Sequence, residues 1–496
     1  MASLVLVELE LNELLSVDGT LQKLGPRTLE AVAELTRAFR QPENRTVASQ
    51  DLFVTLTHLL RLITQVSTDV SSIELAESEL IAGKTKGAVV STLLPLAAET
   101  VRCLRNLCVE CLRNQNFCRT TGALEEAIKL LLILLGLPPD VGDEILFVAL
   151  RCSIQFLGNA AVGNVQNQCT VWSAAFPDLL LRCLLLSDSK AVDYCCMLLH
   201  TCFNTSRVNT LASNSSGLPL ARAILDVCHT HPELEWPLLL VTQHVLPSSF
   251  FIPTIYQDLN HRQRLTVLEV LEVQLDEPPE KELSLPPSLL LLLPWQLRQC
   301  GTALLELLAQ AADRESISED VVELQRVLRC LCRATAQPGR FPDLLDHPDI
   351  LPCALELLHA TSEAEKQNGA LYCTDKVDYS VASRQLDQGF KCEMVRLVGN
   401  LCYENKTNQD KIRELDGIPL ILDSTSIDDN NPFLEQWAVL AIHNLTEHNL
   451  ENQAVLAAMK RQGFAPGVDA LRGLGVEVEE REGRLYFKTT KKPPST

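Results

Sequence analysis

Apolar residues recur at helical spacing along most of this chain. In the N-terminal part, Leu52, Leu56, Leu59, Leu60 and Ile63 stand on one face of a predicted helix. A second stripe, in a helix predicted over about 432–446, consists of Phe433, Trp437, Leu440, Ala441 and Leu445. The segment 476–479 alternates with a period of two instead, and a turn and a second apolar run follow it. The pattern predicts an all-α chain with a possible small C-terminal β-hairpin.

A polar motif repeats within this apolar pattern. A helix ends in Asn, and after seven further residues comes the pair Asn-Gln. The four complete copies begin at Asn106, Asn159, Asn400 and Asn444, and a fifth, at Asn204, lacks the Asn-Gln pair. Neighbouring copies lie 44 to 53 residues apart, close to the period of armadillo and HEAT repeats, about 40–47 residues. We therefore predict an armadillo/HEAT-like right-handed helical solenoid.

The copy over 408–447 is the most complete and predicts the anatomy of one repeat. Asn408 is expected to cap a short first helix, 409–415, and Gly417 to end that helix in the left-handed conformation. Pro419 then opens a second helix, and a long third helix follows. Three helices of this kind form one armadillo repeat.

The first Asn of each copy and the residue four positions before it share a face of the third helix. The candidate protein-binding groove consists of Arg102, Asn106, Gln155, Asn159, Asn204, Arg396, Asn400 and Asn444. A carboxamide donates and accepts hydrogen bonds, so one hypothesis is a ladder that binds an extended peptide with acidic side chains opposite the arginines. The other is that each Asn bonds the backbone of the next repeat or ends its own helix.

The remaining segments are less regular. The expected divisions are a divergent helical cap over 1–100, armadillo-like repeats over 101–275, divergent repeats over 276–358, an inserted loop over 359–389, a C-terminal repeat domain over 390–470, and a hairpin with a disordered tail over 471–496. Pro-rich breaks and a polar stretch mark the middle boundaries.

Composition narrows the functional classes. Hydrophobic residues make up 46% of the chain and aromatic residues only 5%, which suits helix-on-helix packing. A formal net charge of −20 disfavours binding to nucleic acids or to anionic membranes. The longest apolar runs fall far short of the about 20 residues that a membrane-spanning helix needs.

The 18 cysteines point to a reducing compartment. They lie in leucine-rich helical stretches such as Cys103–Cys108, where cysteine behaves as a small buried hydrophobe. The first fifteen residues carry Glu8, Glu10 and Glu13 and do not resemble a secretory signal. We therefore expect free thiols and a cytoplasmic protein.

No motif of catalysis or metal binding is complete. Gly83-Lys84-Thr85 resembles the end of a phosphate-binding loop, but the required earlier glycine is Ser78. Cys108 and Cys111 form a single C-x-x-C pair without a second pair at zinc spacing. We expect no catalytic residue, no cofactor and no metal, and hence a protein that is not an enzyme.

Several segments resemble the ataxin-10 family over nearly the whole chain. They are 396–411, 414–423, 431–437, 102–111, 155–159 and 235–237. The resemblance implies cytoplasmic, perinuclear, self-associating armadillo-like adaptors connected with cytokinesis at the midbody, the centriole and ciliary base, neuron survival and neurite outgrowth. It also implies as partners the O-linked N-acetylglucosamine transferase, a G-protein β subunit and an IQ-motif ciliary protein.

A nuclear import receptor of the armadillo type is the alternative. Those receptors place Trp four residues before the groove Asn. Here the corresponding residues are Arg102, Gln155, Arg396 and Leu440. The aromatic cage for basic peptides is therefore missing, which favours a scaffold that binds other proteins.

Overall fold

The protein is all-α apart from one short β-hairpin in the part of the chain that the computed structural model describes. The described residues are 2–16, 23–74, 92–137, 143–213, 217–278, 285–309, 319–337, 339–368, 389–425, 431, 433–459, 476–481 and 484–489. They divide into two compact units, Met1–Leu290 and Leu291–Thr496.

The first unit is a succession of helices. In chain order they are α1 (Ala2–Ser16), α2 (Pro26–Ala38), α3 (Pro42–Val47), α4 (Gln50–Glu74), α5 (Leu94–Cys108), α6 (Leu112–Thr121), α7 (Ala123–Leu134), α8 (Asp143–Ala161), α9 (Val165–Ala175), α10 (Asp178–Leu184), α11 (Ser189–Cys202), α12 (Thr205–Ser213), α13 (Gly217–Thr230), α14 (Glu235–Leu240), α15 (Phe251–Ile255), α16 (His261–Leu275) and α17 (Pro287–Leu290). A π-helical turn, Val241–Val245, continues α14.

Three helices form each repeat, and helices of the same kind stack on one another. The third helices α2, α5, α8, α11 and α14 pack in that order, each against the next. The second helices α4 and α7 pack together on another face, as do α13 and α16. Each unit is thus a helical solenoid of the predicted armadillo type, in which a repeat buries its apolar faces against its neighbours.

The predicted N-terminal stripe is confirmed, since all five of its residues are at most 1% exposed within α4. The window Glu144–Ala161 of α8 is long and apolar enough to cross a membrane, but 61% of it is buried within the protein. Burial of that extent is also found in the core helix of a water-soluble domain, and α8 packs between α5 and α11.

The second unit repeats the same organisation. Its helices are α18 (Leu292–Ala309), α19 (Glu319–Thr335), α20 (Pro342–Leu345), α21 (Ile350–Asn368), α22 (Phe390–Cys402), α23 (Lys406–Glu414), α24 (Gly417–Asp423), α25 (Leu434–Thr446) and α26 (Leu450–Ala458). The third helices α19, α22 and α25 stack in order. Because α21 continues to Asn368, the expected inserted loop from 359 is wrong over its first ten residues; residues 369–388 lie outside the described part.

The predicted hairpin is confirmed. Strand β1 (Val476–Arg481) pairs antiparallel with β2 (Arg484–Thr489), and the register runs from Val476 opposite Thr489 to Arg481 opposite Arg484. The predicted disordered tail beyond Thr489 lies outside the described residues.

The turns around α23 differ from the sequence prediction in two places. The cap is Asn405, whose side chain accepts from the backbone N–H of Asn408, so the helix begins three residues earlier than expected. Asp416, with φ 52°, takes the left-handed conformation expected of Gly417. Gly417 instead begins α24, where a Cβ would lie 2.6 Å from Cγ1 of Ile412. Close packing therefore requires a glycine at position 417.

Candidate functional site

The turn from a third helix to the next first helix has one geometry in all four complete copies. The residue four positions after the first Asn has a positive φ in each: Glu110 (51°), Gly163 (70°), Glu404 (49°) and His448 (54°). In three copies the following residue is an Asn cap: Asn164, Asn405 and Asn449. The left-handed residue and the cap together set the position of the Asn-Gln pair in the first turns of the next helix.

The Asn of each pair connects its turn to the preceding repeat. Its side chain donates to the carbonyl seven residues earlier, at the end of the third helix: Asn114 to Leu107, Asn167 to Ala160, Asn408 to Leu401 and Asn452 to Leu445, all within 2.9 Å. It also donates to the first helix of the preceding repeat, at the carbonyls of Arg45, Gln115, Leu345 and Gln409. The seven-residue spacing therefore has a structural cause.

The Gln of the pair connects two successive third helices. Gln409 Nε2 lies 3.2 Å from the carbonyl oxygen of Cys402, at the end of the preceding repeat, and 2.8 and 3.3 Å from those of Asn444 and Glu447, at the end of its own repeat. Gln115 makes the equivalent three contacts in the first unit. Buried carboxamides of this kind satisfy carbonyls that a helix end leaves without a partner.

The side chain of the first Asn of each copy also donates a hydrogen bond to a backbone carbonyl. Asn106 donates to Thr36 at 3.0 Å, Asn159 to Arg105 at 3.3 Å, Asn400 to Cys332 at 3.0 Å and Asn444 to Gly399 at 2.9 Å. Each acceptor lies in the preceding third helix. These bonds are of the kind that the second hypothesis expects, in which each Asn bonds the backbone of a neighbouring repeat. The acceptor lies in the preceding repeat rather than in the next one. Binding of a partner at these positions stays a prediction.

Asn204 does not lie on a third helix. Helix α11 ends at Cys202, and Asn204 Oδ1 instead accepts from the backbone N–H of Arg207 at the start of α12. The position two residues before the helix end, which holds Asn in the complete copies, is occupied by His200. The fifth copy therefore has a shorter turn, and the assignment of Asn204 to the same row as Asn106 is wrong in register.

His200 contacts the following third helix through its ring. Its Nε2 lies 2.9 Å from Gln243 Oε1, and its ring centroid lies 5.4 Å from that of Trp236 and 4.6 Å from that of His244. Burial, and secondarily the neighbouring His200, lowers the pKa of His244 to about 4. An aromatic and imidazole cluster thus replaces the carboxamide contact between these two repeats.

Each of the two groove arginines pairs with a glutamate three residues earlier in its own helix. Arg102 pairs with Glu99, and Arg396 pairs with Glu393 at 3.6 Å. The Arg396 guanidinium also lies 4.8 Å from the ring centroid of Trp437 on the next third helix. Both charges are therefore largely compensated within the chain.

Arg105, which sequence reasoning passed over, lies between two predicted groove residues. Its Nε and Nη2 donate to Asn106 Oδ1 at 3.2 and 3.0 Å, and its Nη1 donates to Gln155 Oε1 at 2.6 Å. Within the described residues it forms no ion pair. Burial, together with repulsion from Arg102 and Arg40, lowers its pKa. The structure thus joins Asn106 and Gln155 through a third residue.

A compact group of possible ligand atoms occurs in the second unit. The ligand atoms of Cys300, Asp320 and Glu323 lie within 4.8 Å of one another. Gln296 Nε2 donates to Glu323 at 2.5 Å and to Cys300 at 3.2 Å, so side chains of the protein already hydrogen-bond within this group. No spacing in the sequence indicated it, because the residues come from two helices.

Comparison with known proteins gives consistent matches. A family model described as the spinocerebellar ataxia type 10 protein domain matches residues 390–488. Ataxin-10 of Xenopus tropicalis is 38% identical over 94% of this chain and 93% of its own length. Human ataxin-10 is 35% identical over 96% of this chain and 98% of its own, and a Dictyostelium discoideum homologue is 48% identical over 21% of this chain and 17% of its own.

Proposed function

Because this chain belongs to the ataxin-10 family, we propose that it works as a non-catalytic scaffold that binds other proteins along its third helices. The observation that carries the proposal is the continuous stack of these helices in each unit, along which Arg102, Gln155 and Arg396 remain partly exposed. Solenoids use such surfaces to bind extended partners. The absence of a complete catalytic motif from the sequence agrees with this role.

The cellular role that we propose rests on the family resemblance. We propose that the protein lies in the cytoplasm, including the perinuclear region, the centrosome or ciliary base and the midbody. Its proposed processes are cytokinesis, organisation of the centriole and ciliary base, neuron survival and neurite outgrowth. The proposed partners are the O-linked N-acetylglucosamine transferase, a G-protein β subunit and an IQ-motif ciliary protein.

Self-association is the second part of the proposal, and it is assigned to the region from about residue 390 onward. Apolar side chains are exposed around α25 there: Phe433 is 69%, Val439 57% and Leu440 43% exposed. A cluster of exposed apolar residues favours contact with another protein surface. Sedimentation of full-length Leu440→Glu should show a smaller species than the wild type, whereas Leu415→Glu, also at an exposed position, should sediment unchanged.

The binding role is tested by isolating the tagged full-length protein from dividing cells after chemical crosslinking. Crosslinks from partner proteins should concentrate on the third helices and the turns that follow them. Fluorescence microscopy of the same protein should place it in the cytoplasm and at the midbody. A set of crosslinks spread evenly over all helices, or recovery of no protein above a tag-only control, would contradict the scaffold.

A further inference from the structure

We propose that Arg105 is the centre of a carboxylate-binding site for an acidic segment of a partner protein, an inference that rests on the scaffold function proposed above. Arg105 lies on the third helix α5 and contacts α8 through Gln155. It therefore bridges two adjacent members of the row on which the scaffold is expected to bind. The site is assigned from its charge, its hydrogen bonds and its place in the fold.

Within the described residues, no carboxylate pairs with Arg105. Its three hydrogen bonds go to two neutral carboxamide oxygens, Asn106 Oδ1 and Gln155 Oε1. Every other third-helix arginine named above has a carboxylate three residues before it, Glu99 for Arg102 and Glu393 for Arg396. A partly buried guanidinium without a counter-ion is unfavourable. An anion supplied from outside would remove that cost.

The hydrogen bonds of Arg105 also leave room for such an anion. A guanidinium has five N–H groups. Its contacts to Asn106 and Gln155 use one on Nε and one on each Nη, so each Nη keeps one N–H. These two N–H groups are donors that the oxygens of a carboxylate can accept. The carboxamides hold the guanidinium in place, which reduces the entropy that binding would cost.

The surroundings of Arg105 favour an acidic peptide over a basic one. Arg40 and Arg102 lie near enough for their charges to act on Arg105. Arg37 is a further exposed arginine on α2, the third helix that packs against α5. Helices α2 and α5 also carry Glu30, Glu34 and Glu99, of which Glu99 pairs with Arg102. The rest of the molecule is strongly acidic, and it would repel a polyanion such as a nucleic acid while a short acidic segment can still bind locally.

The test uses the full-length protein and a fluorescein-labelled peptide of six Glu-Ala repeats, with a Gln-Ala peptide of equal length as the uncharged control. Fluorescence anisotropy measures binding at low and at physiological salt. Arg105→Gln removes the charge and keeps one amide donor. Arg298→Gln makes the same change at an exposed, ion-paired arginine of the second unit. Arg105→Lys retains the charge and loses the two-point geometry.

The wild type should bind the Glu-Ala peptide, and Arg105→Gln should weaken binding at least fivefold without lowering the melting temperature appreciably. The affinity of Arg105→Lys should lie between those of the wild type and Arg105→Gln. Arg298→Gln should change the affinity less than twofold. Equal binding by wild type and Arg105→Gln, or preference for a single-stranded oligonucleotide of equal charge, would overturn the assignment. If Arg105→Gln lowers the melting temperature strongly, the affinity of Arg105→Lys for the Glu-Ala peptide tests the proposal instead. Crosslinked partners on the third helices would still support the scaffold in any of these cases.

Discussion

The side chain of Asn444 donates a 2.9 Å hydrogen bond to the backbone carbonyl of Gly399, one third helix earlier in the chain. The two helices are close there, since a Cβ on Gly399 would lie 3.2 Å from the Cα of Ala441. The same kind of bond joins Asn106 to Thr36 in the first unit. The repeated Asn thus connects neighbouring repeats in both units.

Gln409→Ala should lower the free energy of unfolding by about 2–4 kcal/mol, because three carbonyls lose their donor at a buried position. Gln453 occupies the same place in the last copy but is exposed and bonds only Thr446 among the described residues. Gln453→Ala should cost no more than about 1 kcal/mol. Chemical denaturation of both variants measures the difference, and equal losses would contradict the role given to the Gln.

Gly417→Ala should destabilise the protein by about 1–3 kcal/mol through overpacking. The added methyl group would lie 2.6 Å from Ile412 Cγ1 and 3.0 Å from Leu355 Cδ2. Gly339→Ala is the matched control, because nothing lies within 4 Å of a Cβ at that position. Thermal melting of the two variants checks the prediction, which fails if both melt at the same temperature.

The pKa of His244, lowered to about 4, predicts a pH dependence of stability. A histidine in the unfolded chain titrates near 6.5, so between these values the unfolded state binds the additional proton. The contribution of the neutral ring is complete above about pH 6.5 and is lost as the pH falls toward 4. His244→Gln should flatten the melting temperature over this interval, whereas the same change at exposed His229 should not.

Thiol reactivity should follow exposure. Burial raises the pKa of the Cys402 thiol to about 12 and, with a smaller opposing influence of Arg207, that of Cys202 to about 12 as well. Cys169 is exposed. A thiol reagent should therefore react with Cys169 first in the folded protein, and Cys169→Ser should remove one fast equivalent. Nearly all 18 cysteines should react in denaturant; recovery of only a few would indicate disulfides.

The sequence was sufficient for the fold and for the repeat, because apolar spacing and the seven-residue motif both report local structure. It could not decide what the Asn and Gln side chains contact, since their acceptors lie in neighbouring repeats. The N-cap was misplaced because Asn405 and Asn408 are both good capping residues, and only the backbone distinguishes them. The predicted register of Asn204 was wrong because the turn after α11 is one residue shorter than in the complete copies.

Arg105 was passed over for a different reason. The predicted groove residues are paired four positions apart on a third helix, and Arg105 adjoins Asn106 rather than lying one turn from it. Its importance comes from what it lacks, a carboxylate partner within the described residues, and a missing partner cannot be read from spacing. A part-buried charge held by two amides becomes visible only in three dimensions.

The melting temperature of the double variant Asn106→Ala with Asn159→Ala tests most directly whether the repeated Asn holds the solenoid together. Each substitution leaves a backbone carbonyl, of Thr36 or Arg105, without its carboxamide donor. We predict a fall of several degrees, equivalent to about 1–3 kcal/mol for each buried carbonyl left unpaired. A double variant that melts like the wild type and binds its crosslinked partners about tenfold more weakly would contradict it, and would assign these side chains to the partner instead.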